Sequence, residues 1–110
     1  MELQPIKRKD YFEKIIKEGK KKVNSHFVVY FLPSLFFEDN ITRIGISVGK
    51  KIGNAVVRNL HKRRLRHIIR ESKIDIDKKY VIIIMRPRAK DCDFSLLSKK
   101  FDEVMRGVKQ

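Results

Sequence analysis

Acidic residues are scarce in this chain of 110 residues, where 13 Asp and Glu stand against 27 Lys and Arg for a formal net charge of +14. Between Asn40 and Arg70 there is none at all. Cations in that interval have no local carboxylates and must face water or a polyanion. Cysteine is nearly missing too. Cys92 alone excludes an internal disulfide and a thiolate metal cluster, and it suits a reducing cytoplasm. Its neighbours Asp91 and Asp93 would raise a thiol pKa, which argues against a nucleophile. No apolar run approaches the roughly 18 residues of a spanning helix, and the opening MELQPIKRKDYF lacks the apolar stretch of a signal peptide. There is no internal repeat and no low-complexity linker. With 42% hydrophobic residues, the chain is long enough for one compact core and too short for two, so residues 1–110 read as a single domain.

What is present in place of acid is concentrated basic charge. The run Lys50 to Arg70, KKIGNAVVRNLHKRRLRHIIR, holds eight Lys and Arg. At about 100° per residue, Asn59, Lys62, Arg63, Arg66 and Arg70 share one face of a helix within an arc of roughly 100°. Val56, Val57, Leu60, Leu65 and Ile68 occupy much of the other side and are expected to pack, although His61 and Arg64 interrupt them. Gly53 permits a tight turn, and Asn54 can cap the first free amides. Lys50 and Lys51 just precede a helix N-terminus, a corner that attracts phosphate. Binding to nucleic acid is the leading reading. A membrane surface is disfavoured because the helix lacks a bulky apolar face.

The flanking segments read as a scaffold. Residues 1 to 8 are expected to be an extended lead-in. Asp10 and Glu13 make a capping box for a helix to about Glu18, ended by a left-handed Gly19; Phe12, Ile15 and Ile16 share its apolar face, which by itself predicts core packing. VNSHFVVYFLP reads as a strand, with Phe27, Val29 and Phe31 assigned to the core and Tyr30 to the opposite surface. There the tyrosine is either structural or a platform for an unpaired base. Leu35, Phe36 and Phe37 are apolar for a turn, and either tuck under the sheet or meet a partner. ITRIGISV is a second strand with Ile44, Ile46 and Val48 on one face and the small Gly45 and Ser47 beside Arg43 on the other. Those small residues leave room for an RNA backbone or for a closely packed helix. The basic helix runs to about Ser72, and YVIIIMR is a strand covered on both faces, which makes a βαβ unit with the preceding strand and helix. Asp91 or Asp93 caps a last helix on which Phe94, Leu97, Phe101, Val104 and Val108 recur at helical spacing.

Catalytic groups are hard to find. Asp75 with Asp77 and Asp91 with Asp93 are the only paired carboxylates, and both pairs flank loops, where several oxygen ligands do not converge. His26, His61 and His67 are separated, without an acid on the same helix face. A nuclease acting alone is therefore disfavoured. So is a DNA-binding helix-turn-helix, since strands flank the basic helix where a second helix should stand.

The run GISVGKKIGNAVVRNLHKRRLR resembles the signature of the bacterial ribonuclease P protein family, with Lys50, Lys51, Gly53, Ala55, Val56, Arg58, Asn59, Lys62, Arg63 and Arg66 at the family's spacing. One position departs: the family's Arg-Asn-Arg core reads Arg58-Asn59-Leu60, so one cation is replaced by a leucine free to pack. The resemblance covers the chain by element order and residues 43 to 66 by specific motif. It implies an α+β, single-domain α-β sandwich like the ribosomal protein S5 domain 2-like fold. In that fold the central sheet is mostly antiparallel, the first and last helices pack on it, and the basic helix lies in a βαβ crossover that is left-handed in the family. It implies a protein subunit that binds a catalytic RNA and the 5′ leader of precursor tRNA, inactive alone, with Mg²⁺ held at the RNA. For this chain it implies RNA-subunit contacts from Lys50, Lys51, Asn54, Arg58, Asn59, Lys62, Arg63, Arg66 and Arg70, and leader contacts from Phe12, Ile16, Tyr30 and Ser47. The alternative is a free-standing RNA-binding or ribosome-associated protein with no role in cleavage.

Overall fold

The computed structural model describes residues 1–109. Its elements in chain order are α1 (Lys9–Glu18), β1 (Lys20–Val23), β2 (Phe27–Pro33), β3 (Arg43–Val48), α2 (Ala55–Glu71), β4 (Lys79–Met85) and α3 (Phe94–Lys109), with short 3-10 turns at Ser34–Phe37, Lys50–Ile52 and Pro87–Ala89. The strands form one sheet in the order β1-β2-β4-β3. β2 pairs antiparallel with both β1 and β4, whereas β3 pairs parallel with β4. A parallel neighbour requires a crossover connection, and α2 supplies it.

The two faces of the sheet carry separate cores. Phe27, Val29 and Phe31 alternate along β2 and meet Val81, Ile83 and Met85 of β4, covered by Leu65, Ile68 and Ile69 of α2 and by Leu97, Phe101 and Val104 of α3. On the opposite face Leu32, Tyr80 and Ile82 pack against Ile15 of α1, with Ile6 and Phe37. The expected phenylalanine face is thus the buried one. All nineteen residues of the larger cluster are under about a tenth exposed, and because cores are packed to crystal density, any one of them truncated would leave a cavity.

Several local expectations change. The Asp10–Glu13 capping box does not form. The N-cap is Arg8, without a side-chain cap, and Asp10 instead takes Arg8 in an exposed ion pair at 2.8 Å. Gly19 is extended rather than left-handed, at φ −75° and ψ 166°. Glycine is needed there because a Cβ would collide with the backbone oxygens of Ile15 and Phe31. The run Lys20 to Lys22 is the edge strand β1, exposed along its length; lysines suit an edge because they resist pairing with another chain. The apolar side of α2 is also redrawn. Val56 is 78% and Leu60 40% exposed, while His61 and Ile69 are buried in their stead. Leu60 therefore does not pack in the core. Phe94 likewise stands 43% exposed, outside the core that Leu97 and Phe101 enter.

The turn after β2 divides its apolar residues. Phe37 is buried and stacks on Tyr80 with centroids 4.3 Å apart and planes inclined by 5°. Leu35, in contrast, is 80% exposed.

Candidate nucleic-acid interface

The start of α2 is built by two residues with different tasks. Gly53 adopts φ +156°, and a Cβ there would stand 2.9 Å from Val57 Cβ, so both the turn and the close approach require glycine. Asn54 then caps the helix, its Oδ1 accepting the Val57 N–H at 3.0 Å. The 3-10 turn just before them exposes Lys50 and Lys51 beside that N-terminus.

Along α2 the cations stay free of acid. Among the described residues three ion pairs form, Arg8–Asp10, Arg43–Asp39 and Lys100–Glu103, and none draws a cation from residues 50–70. Asn59, Arg63, Arg66 and Arg70 are exposed and Lys62 is half-buried. Arg58 differs from these five. It is half-buried, and its Nε is shielded from solvent without a hydrogen-bond partner. His61 is buried, and burial together with the nearby Arg64 lowers its pKa. It is a neutral packing residue.

Strand register assembles the second part of the surface. Lys21, Tyr30, Ile82 and Gly45 lie in one row across the four strands, and Val28, Ile84 and Ser47 form the next row on the same face. Val28, Ile84 and Ser47 are all half-buried, as is Tyr30. The ammonium of Lys21 sits 5.9 Å from the centre of the Tyr30 ring, within cation–π range. Phe12 stands over Gly45, where a Cβ would come within 2.5 Å of Phe12 Cζ. The small residue in β3 therefore receives an aromatic ring from α1. Ile16, one turn beyond Phe12, is exposed. Phe12, Tyr30 and Ile84 are half-buried at the margin of the second core, and with Val28 and Ser47 they make up the partly exposed end of this face.

The two parts are joined at the outer edge of β3. There the lead-in runs beside the strand, the Ile44 N–H donating to the Gln4 oxygen at 2.8 Å, and a groove of about 220 Å³ opens between lead-in and helix. It is lined by Pro5, Ile6, Phe12, Gly45, Lys62 and Arg66, among others. The Phe12 ring and two cations of the stripe thus border one concavity. Lys21 has no counterpart among the residues expected at the site, whereas Gly45 is expected to leave room for an RNA backbone or a closely packed helix, and Phe12 of α1 is what fills that room. The alternation of small and large residues in ITRIGISV was a signal for Gly45, whereas nothing in a lysine triplet marks which ammonium will meet a ring.

Elsewhere the chemistry is sparse. Among the described residues no three His, Cys, Asp or Glu side chains come together as a metal ion would need. Burial, then the neighbouring Asp93, raises the Cys92 pKa, which disfavours the thiolate a nucleophile needs. His26 is buried, with its pKa lowered by burial and by Lys100 and Arg88. No helix among the described residues is long and apolar enough to cross a membrane.

The family model described as Ribonuclease P matches residues 2–109. The ribonuclease P protein component of Streptococcus agalactiae serotype Ia is 36% identical over 101 residues, covering 92% of this chain and 90% of the relative. The solved structure of the Staphylococcus aureus RNase P protein superposes with a TM-score of 0.86 at 37% identity, covering 96% of this chain and 94% of that one. The Thermotoga maritima RNase P protein gives 0.80 at 30% identity, with 96% of each chain covered. The family match spans nearly the whole described chain and the fold is that of the solved relatives, and the chain belongs to the ribonuclease P protein family.

Proposed function

We propose that this chain is the protein subunit of a ribonuclease P holoenzyme, assisting removal of the 5′ leader from precursor tRNA. The stripe of Asn59, Lys62, Arg63, Arg66 and Arg70, with Lys50, Lys51 and Asn54 at the helix start, binds the catalytic RNA. Arg58 contributes through the outer part of its guanidinium. Phe12, Ile16, Tyr30 and Ser47 hold the unpaired leader, with Lys21 placing positive charge beside Tyr30. Hydrolysis and its Mg²⁺ ions belong to the RNA in this reading, and the protein works by binding and positioning, in the bacterial cytoplasm.

The observation that carries the proposal is the set of unneutralised α2 cations, of which Lys62 and Arg66 border a groove shared with the Phe12 ring. Folded RNA and single-stranded leader need those two kinds of surface respectively, cations for phosphates and rings for unstacked bases. Bringing two polyanions together is opposed by their repulsion, and a +14 protein between them lowers that cost most at low ionic strength.

Reconstitution tests it. Purified protein should leave precursor tRNA uncut, and should restore cleavage at low magnesium when mixed with the catalytic RNA. Tight binding of precursor tRNA with no effect on the RNA's activity would favour a free-standing RNA-binding protein instead.

A further inference from the structure

We infer that the exposed aromatic edge formed by Phe94 and His67 is a stacking site for one unpaired base of the RNA bound along α2, an inference that rests on the function proposed above. Asp93 fixes the start of α3 by accepting the Leu96 N–H at 2.8 Å. The helix therefore begins with Phe94, which helical spacing aligns with Leu97 and Phe101 but which projects past the end of the core. It meets the exposed His67 of α2, the ring centroids lying 5.5 Å apart with planes inclined by 53°. His67 stands four residues after Arg63 and three before Arg70, so all three share the outer face of the helix. Leu60, two turns earlier on that face, extends the apolar strip.

Charge selects the occupant. An exposed apolar strip could in principle receive another protein, but on its α2 side this one is flanked by Arg63 and Arg70, which no ion pair neutralises, while the exposed Asp91 and Asp93 stand at its α3 end. A nucleotide satisfies both parts at once, its phosphates taken by Arg63 and Arg70 and its base by the rings. A duplex keeps its base faces stacked, so the strip fits a base splayed from a loop or bulge.

The test compares Phe94→Ala, Phe94→Leu and Phe94→Tyr, each first shown by thermal unfolding to be folded, in binding the catalytic RNA at several salt concentrations. Alanine and leucine should each weaken binding about tenfold, within the range for loss of one base–aromatic stack. Tyrosine should bind like the parent. Because stacking releases no counterions, the slope of log K against log salt should be the same in all four proteins. Chemical probing of the bound RNA should show one unpaired base exposed by leucine and protected by tyrosine. Unchanged binding by alanine, or full rescue by leucine, would overturn the inference while parent protein still bound the RNA. Failure of the parent to bind would overturn the functional reading itself.

Discussion

The Phe12 ring fills the space above Gly45 that a side chain would otherwise occupy, with a Cβ there standing 2.5 Å from Phe12 Cζ and 2.8 Å from Cε1. Gly45 needs no unusual backbone, so its restriction is steric and comes from one ring. Gly45→Ala should displace Phe12 and destabilise the fold by about 1 kcal/mol, the low end for overpacking, since the ring can swing. Leader affinity should fall with it. In a double-mutant cycle, Gly45→Ala should cost little once Phe12 is already alanine. Additive losses in chemical denaturation and in leader binding would separate the two residues.

The proposed leader contact of Tyr30 has a direct kinetic test. Tyr30→Ala should raise the apparent KM for precursors with long leaders by about tenfold, on the scale of one lost stacking contact. Affinity for the RNA subunit should not change. Equal losses on long-leader and leaderless substrates would remove Tyr30 from the leader contacts.

Leu60 stands where the family carries a cation, and its exposure means that a longer polar side chain can be placed there without opening the core. Leu60→Arg should tighten binding to the catalytic RNA at low salt and steepen the salt dependence by about one counterion. Filter binding across a salt series checks this. An unchanged slope would mean that position 60 lies off the RNA.

The far end of the α1 face has its own acid-sensitive lock. Asp39 accepts from Tyr80 Oη at 2.6 Å and from Arg43 Nε at 3.0 Å, and these hydrogen bonds, Tyr80's first, hold its pKa at about 2. The folded pKa lies below the ordinary carboxylate value of 3.8. The carboxylate therefore contributes stability that is fully present above about pH 4 and lost as pH falls toward 2. Asp39→Asn should lower Tm at neutral pH by an amount that shrinks across that window. A Tm difference constant from pH 7 to pH 2 would contradict the assignment.

Much of this was legible in the sequence, and the gaps have physical causes. The β-branched and aromatic strands, the Asn54 cap and the basic face of α2 follow from local spacing and end signals, which need no knowledge of tertiary contacts. The choice of which apolar residues of α2 to bury did not. Val56 and Leu60 lie outward because α2 leans on the sheet through Leu65, Ile68 and Ile69, and the helix can only satisfy one contact direction. β1 escaped notice since a lysine-rich edge strand owes its state to the β2 hydrogen bonds beside it rather than to its own side chains. Gly19 and Gly45 were recognisable as glycines with a purpose, but what they make room for, two backbone oxygens and one phenyl ring, depends on distant segments. That Phe12 and Lys62 border one groove is not visible from the sequence, since their helices are far apart in the chain and lie on opposite faces of the sheet.

The most direct test of the RNA-binding stripe is the salt dependence of catalytic-RNA binding by the folded triple variant Lys62→Gln, Arg63→Gln, Arg66→Gln. Loss of three phosphate contacts should weaken binding and reduce the slope of log K against log salt by about 2 to 3. A variant that binds as tightly as the parent, with the parent's slope, would contradict the account.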